Sequence, residues 1–180
     1  MIHLIIGEPD SGKSALAEEM AQDCGGPVYY LATMLVMDEK GQKRRERHRK
    51  QRAGRGFVTL EIPYRIDRAL ESIGNPGECT VLLECLSNLV GNEMHENPER
   101  TALWREGDGA RFVQAILTDV LTLADGVRAL IVVTNEYRAA PGYDEETRNY
   151  IRLLSMLNQA LMPHAETVRD LRSAEEKSLC

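Results

Sequence analysis

At 180 residues, 43% hydrophobic and 28% charged, the chain has the composition of a globular, soluble protein able to bury a proper core. No stretch approaches the roughly 20 apolar residues of a membrane span, and a net charge of −6 argues against broad nucleic-acid binding. The charge is uneven, however. Nine Lys/Arg and one acid fall between Lys40 and Arg55, a segment of +8 that leaves −14 on the remainder, as expected of a solvated helix face or a surface for a local polyphosphate.

In chain order, Ile2 to Ile6 form a short apolar strand that runs into Gly7-Glu8-Pro9-Asp10-Ser11-Gly12-Lys13-Ser14 and then into a helical stretch, Ala15 to Ala21. These apolar residues lead into a Gly-rich loop rather than a cleavage site, so a signal peptide is not expected. Strand, G-x-x-x-x-G-K-S loop and helix together are what phosphate binding requires. Glycines let successive N–H groups turn toward the phosphate oxygens, and the helix N-terminus adds partial positive charge. Lys13 is expected at the β/γ-phosphates and the Ser14 hydroxyl on Mg²⁺. The chain is therefore expected to bind a nucleoside triphosphate.

Gly25-Gly26-Pro27 stops the first helix, and Val28 to Thr33 reads as a buried strand. A loop is expected over 34–40 and a basic helix over 42–52, ended by Ala53-Gly54-Arg55-Gly56. Phe57 to Ile62 reads as a strand closed by Pro63. Tyr64 to Ile73 has helical spacing, and Gly74-Asn75-Pro76-Gly77 ends it. Thr80 to Glu84 is an apolar strand ending in a carboxylate, where phosphate-loop proteins place a group that holds Mg²⁺ directly or through water. A helix starts over 85–90. The segment 91–109 is polar and carries no legible pattern. An amphipathic helix over 110–124, a strand over 129–133, a loop over 134–143, a helix over 144–162 and a last strand over 165–171 complete the chain, followed by a charged tail. Alternating strands and helices predict an α/β fold with a mainly parallel sheet flanked by helices. The phosphate loop, Thr33, Glu84 and Thr134-Asn135-Glu136 all follow strands and are expected to converge on one crevice. Cys24, Cys79, Cys85 and Cys180 form no C-x-x-C pair and no zinc-type cluster, as expected of reduced thiols in the cytoplasm.

His48 lies among arginines and lysines. On a helix it shares a face with Arg44 and Arg52, with Arg45 and Arg49 on the adjacent face. Cationic neighbours lower an imidazole's pKa and keep it neutral and nucleophilic, but the residues alone favour a solvated basic helix. No N-K-x-D motif follows the strand at 129–133, which counts against a regulatory GTPase.

Taken together, the loop Gly7 to Ser14, Tyr29 to Thr33, Arg47-His48-Arg49 with Arg52, Thr59 and Glu61, Leu83-Glu84-Cys85-Leu86 with Asn92, Thr134-Asn135-Glu136, and Arg148 with Asn158-Gln159 resemble the adenosylcobinamide kinase / adenosylcobinamide-phosphate guanylyltransferase family of cobalamin biosynthesis. The resemblance spans roughly residues 1 to 160 of a single phosphate-loop domain, 1–180. It implies two activities: phosphorylation of adenosylcobinamide by ATP or GTP, and GTP-dependent guanylylation of the product through a guanylyl-histidine at His48. It further implies nucleotide binding by residues 7–14, Thr33, Arg49, Arg52, Glu61 and Glu84, with Lys13 and Glu84 catalytic and Ser14 and Glu84 on Mg²⁺. A corrinoid substrate and a homo-oligomer, typically a trimer, are implied as well. The chain departs from the family pattern at Ala53, which replaces a proline, and at Phe57, which stands in for a tryptophan. It also departs in the run Tyr137 to Gly142 and in the charged ending from about 168 to 180. The nucleotide side is thus expected intact and the acceptor side altered. A kinase of another small hydroxyl substrate without guanylyltransferase activity, or a nucleotide-binding module without turnover, are the competing readings.

Overall fold

The computed structural model describes residues 1–35, 39, 41–43, 46, 50 and 54–172. Among these, six strands form one sheet: β1 (Ile2–Gly7), β2 (Val28–Ala32), β3 (Val58–Glu61), β4 (Thr80–Glu84), β5 (Ala129–Asn135) and β6 (Thr167–Asp170), in the spatial order β3-β2-β4-β5-β1-β6. Every pairing is parallel, so all these strands end on the same edge of the sheet. The helices that carry the connections include α1 (Lys13–Asp23), α2 (Leu86–His95), α3 (Pro98–Arg105), α4 (Gly109–Gly126) and α5 (Glu145–Leu161).

The apolar runs read from the sequence are continuous because the inner strands are covered on both faces. Alternation divides them. Ile2, Leu4 and Ile6 of β1, Val81 and Leu83 of β4, and Leu130 and Val132 of β5 face one core, with Phe112, Ile116 and Val120 of α4 and Leu153, Leu154 and Leu157 of α5. Ile5, Leu82, Ile131 and Val133 face the other, against Ala17 and Ala21 of α1. Each fully buried Leu or Ile in these layers contributes about 1.5–3 kcal/mol. The small α1 residues let that helix lie close over β4 and β5, so its first turn reaches the end of β4, a strand not next to β1. The edge strands β3 and β6 are mostly exposed.

The expected elements are present with shifted ends. Strand β5 runs on to Asn135 because Thr134 and Asn135 pair in register with Ile6 and Gly7. The helical spacing over 64–73 resolves into a 3₁₀ turn, Ile66–Glu71, entered through Arg65 at φ 53°. Glu39, expected in a loop, is helical, as are residues 41–43, 46 and 50; the rest of the expected basic helix, including His48, Arg49 and Arg52, lies outside the described residues. The segment 91–109, illegible in the sequence, holds the second half of α2 and all of α3. Its polar character comes from a buried cluster. Arg100 donates to Glu93 and to Asp119, both at 2.7 Å, and Asn97 donates to Glu93 at 2.7 Å. Helices α4 and α5 start on side-chain caps: Asp108 accepts from the Arg111 N–H at 3.1 Å and Asp144 from the Thr147 N–H at 2.7 Å.

Candidate active site

The phosphate loop joins β1 to α1. Two different demands explain its glycines. Gly12 sits at φ 85°, a left-handed conformation that side chains resist. Gly7 has no such angle; a Cβ there would stand 2.8 Å from Ser11 Oγ and 3.2 Å from Lys13 Cδ, so its requirement is space. Asp10 also adopts a left-handed conformation, φ 60°, and the Ser11 N–H donates to the Glu8 carbonyl at 3.3 Å. No side chain at the N-cap position bonds back to α1, which leaves its first-turn N–H groups for an anionic ligand.

Lys13 is buried, 7% exposed, and its ammonium donates to the Glu8 carbonyl and, at 3.4 Å, to Ser11 Oγ. Burial draws its pKa below the ordinary lysine value, with Cys85, Glu84, Asp10 and Glu8 pulling the other way. Next to it, Ser14 Oγ donates to Glu84 Oε1 at 2.5 Å. This contact joins the start of α1 to the end of β4, across the intervening β5. Glu84 Oε2 is buried with no hydrogen-bond partner among the described residues. A buried carboxylate oxygen without a partner, beside a serine hydroxyl, suits a hard divalent cation that takes oxygen ligands. No group of three or more His, Cys, Asp or Glu that could hold a metal occurs among the described residues. A Mg²⁺ ion shared with phosphates needs none, since it keeps several waters and uses one or two carboxylates.

Above these groups lies a hollow of about 610 Å³ walled by the loop from Pro9 to Ala15, by Glu84 and Cys85, and by Asn135 and Tyr137, a size ordinary for small-ligand sites. The predicted residues divide accordingly. Pro9, Asp10, Ser11, Gly12, Lys13, Ser14 and Glu84 line it. Thr33 does not. Fully buried, it ties β2 to β4: its hydroxyl donates to the Cys85 carbonyl and accepts from the Cys85 N–H, each at 2.9 Å. Glu61 ends β3 in register with Ala32, which pairs on its other side with Glu84, so the two residues' backbones stand about 10 Å apart at the same sheet edge. Cys85 is held as a thiol by burial, which pushes its pKa up, and its sulfur lies 2.9 Å from Ser87 Oγ.

Wall residues the sequence did not single out include Glu18, Arg55 and Tyr137. Arg55 ends the basic segment, lines the hollow, and pairs with the buried Glu18 of α1 at 2.7 Å. Glu18 looks like any surface glutamate of a helix, and only the tertiary approach of the turn at 54–56 singles it out. Tyr137 also lines this hollow and opens onto a second one of about 470 Å³, walled by Glu8, Pro9, Glu136, Tyr137, Tyr143 and Tyr150 among others.

Comparison with known proteins bears on this arrangement. The chain is 32% identical over 170 residues, 93% of its length and 91% of the relative's, to the bifunctional adenosylcobalamin biosynthesis protein CobP of Pseudomonas aeruginosa. Among solved structures, the RadB recombinase is similar over 83% of this chain and 70% of its own, at 16% identity and a TM-score of 0.41, too loose a likeness to bear on the site. The profile of the cobinamide kinase / cobinamide phosphate guanyltransferase family matches residues 3–173. On that match and the CobP identity, the chain belongs to the cobinamide kinase / cobinamide phosphate guanyltransferase family.

Proposed function

We propose that this protein is a bifunctional transferase that phosphorylates adenosylcobinamide with a nucleoside triphosphate and then transfers GMP from GTP to the product. The observation that carries the reading is the Lys13, Ser14 and Glu84 constellation at the carboxyl edge of the sheet, beside a second hollow that shares Pro9 and Tyr137 with it, in a chain of this family. ATP or GTP lies with its phosphates on the loop Gly7 to Ser14. Lys13 neutralises charge that builds on the transferred phosphoryl group, as a dry, preorganised cation does best. Mg²⁺ held through Ser14 and Glu84 supplies further neutralisation when bound.

For guanylyl transfer, an imidazole nitrogen of His48 attacks the α-phosphorus of GTP. A P–N bond forms, the α–β bridging P–O bond breaks, and pyrophosphate leaves with the electron pair. A phosphate oxygen of the acceptor then displaces the histidine. Arg49 and Arg52 neutralise the triphosphate, and Glu61 completes the nucleotide site. Two observations support bringing the basic segment here: Arg55, its last residue, pairs with Glu18 on the wall of the phosphate hollow, and Gln22 of α1 donates to the Arg55 carbonyl at 3.4 Å. We read the protein as a cytoplasmic homo-oligomer, with the family resemblance supporting a trimer.

The test is incubation with GTP labelled at the α-phosphate and Mg²⁺, followed by a denaturing gel of wild type and His48→Ala. Acid-labile, alkali-stable label on the wild type alone establishes the guanylyl-histidine. Absence of label on a wild type that binds GTP leaves a kinase or a nucleotide-binding module.

A further inference from the structure

The second hollow has a built feature that nucleotide binding does not use. Asn158 of α5 is fully buried. Its amide nitrogen donates to Glu136 Oε2 at 2.7 Å and to the Asn135 carbonyl at 3.0 Å, while its amide oxygen accepts from Thr134 Oγ1 at 2.8 Å. A carboxylate and a carbonyl both demand a donor, so the amide can face only one way. The result is a carboxylate whose position is dictated by a core side chain, although it stands on the wall of an open hollow. An exposed glutamate needs no such support. A group required in one place does.

Its surroundings indicate the use. The hollow is walled by Tyr137, Tyr143 and Tyr150 together with Glu8 and Pro9, and Pro9 and Tyr137 also wall the phosphate hollow. Tyr150 is fixed by donating to the Ser87 carbonyl at 3.1 Å. An aromatic recess that shares Pro9 and Tyr137 with a triphosphate cradle, with the positioned Glu136 carboxylate on its wall, has the make-up of a seat for an acceptor alcohol: apolar surface for the carbon skeleton and a proton acceptor for the hydroxyl.

We propose that Glu136 is a catalytic residue of the kinase step, taking the proton of the acceptor hydroxyl, and that the tyrosine-walled hollow holds the arm bearing that hydroxyl. This rests on the transferase reading above. The hydroxyl oxygen forms a bond to the γ-phosphorus, and the bond from that phosphorus to the β–γ bridging oxygen breaks. The electron pair leaves on the nucleoside diphosphate, and the proton passes to Glu136 Oε1. Asn158 and Thr134 are positioning residues for that carboxylate. A corrin macrocycle is larger than the recess, so the ring rests at its mouth, where Tyr143 is 42% exposed.

The test uses the full-length enzyme, ATP labelled at the γ-phosphate, and cobinamide as acceptor. Glu136→Gln preserves an oxygen for the Asn158 amide and removes only the base. Its kcat for cobinamide phosphorylation is expected to fall by about 10²–10⁴-fold. Affinity for a non-hydrolysable ATP analogue should stay within about threefold of wild type, and label from α-labelled GTP should still form. Glu136→Asp should recover part of the rate. Tyr143→Ala should raise the KM for cobinamide by about fivefold, the worth of one aromatic contact, with kcat nearly unchanged. A Glu136→Gln enzyme that keeps its kcat, or loses nucleotide affinity in parallel with rate, overturns the base. An unchanged KM in Tyr143→Ala overturns the acceptor seat. A wild type that binds ATP but does not phosphorylate cobinamide overturns the transferase reading itself and this inference with it, whereas an active wild type beside an equally active variant overturns this inference alone.

Discussion

Single residues in this site are defined by what their neighbours leave undone. Glu84 offers one oxygen to Ser14 and buries the other without a partner among the described residues. That arrangement is costly in an isolated chain, at about 1–3 kcal/mol for a buried polar group left unpaired, and becomes favourable once a cation is shared. Glu84→Gln should therefore raise the Mg²⁺ concentration needed for half-maximal transfer by about 10–100-fold, the usual penalty for a weakened metal environment, with little loss of fold. Titrating activity against Mg²⁺ for both proteins checks it, and an unchanged Mg²⁺ requirement would remove Glu84 from the metal site. Lys13 follows the same logic in reverse. Its buried ammonium leans on a loop carbonyl and on Ser11 Oγ, partners that an incoming phosphate oxygen would replace with a stronger one on the proposed reading.

Between elements, the buried ion cluster holds α2, α3, α4 and the Ile66–Glu71 turn together. Glu93, fully buried, accepts from Arg100 at 2.7 Å, from Asn97 at 2.7 Å and from the Arg65 N–H at 2.9 Å. Arg100→Ala strands two buried carboxylates, and the expected loss is about 3–5 kcal/mol, read from the urea midpoint. Charge in this cluster is unbalanced: Arg65 and Arg100 face Glu93, Asp119 and Asp67. Burial outweighs the pull of Arg100 and raises the Asp119 pKa from 3.8 to about 6. The folded state then binds a proton in that window that the unfolded state has released, so the Asp119 contribution is greatest below the unfolded pKa and declines as pH rises through the folded one. Relative to Asp119→Asn, the wild type should lose about 2 kcal/mol of stability between about pH 4 and about pH 7, at roughly 1.4 kcal/mol for each tenfold difference in proton affinity between the folded and unfolded states. Denaturation of both proteins at the two pH values tests this, and a constant gap would refute the raised pKa.

At the scale of the whole molecule, the guanylyl-histidine proposal requires a +8 segment to meet a cradle that belongs to a chain otherwise at −14. The Glu18–Arg55 pair is the described link. With the Arg55 side chain half exposed, its worth to stability is small, about 0–1 kcal/mol. Its worth to catalysis is larger if it anchors the segment that carries His48. Arg55→Ala should leave the melting temperature nearly unchanged while slowing guanylyl labelling by about tenfold, equivalent to about 1.4 kcal/mol of lost positioning. Rapid-quench labelling beside a thermal melt separates the two effects, and unaltered labelling would show that the pair does not position the segment.

Much of this was legible in the sequence because it depends on local chemistry. The phosphate loop, the apolar strands and the amphipathic helices announce themselves through spacing, since glycine conformation, backbone N–H groups and side-chain period are properties of neighbouring residues. The carboxylate at the end of β4 and the family resemblance followed from the same short range. What spacing could not supply is partnership across the sheet. The polar run 91–109 showed no legible pattern because nothing in it says that Glu93 and Arg100 would pair away from water, joined by Asp119 of a later helix. Thr33, expected beside the nucleotide, spends its hydroxyl on Cys85, because β2 and β4 are neighbours. Glu18 and Asn158, ordinary polar residues on their helices, acquired Arg55 and Glu136 as partners. Local periodicity thus determined the elements and the phosphate loop. The strand order and the close seating of α1 and α5 decided which side chains meet, because such pairings join residues far apart in the chain, 70 positions for Ser14 and Glu84, and are set by packing rather than by sequence neighbours.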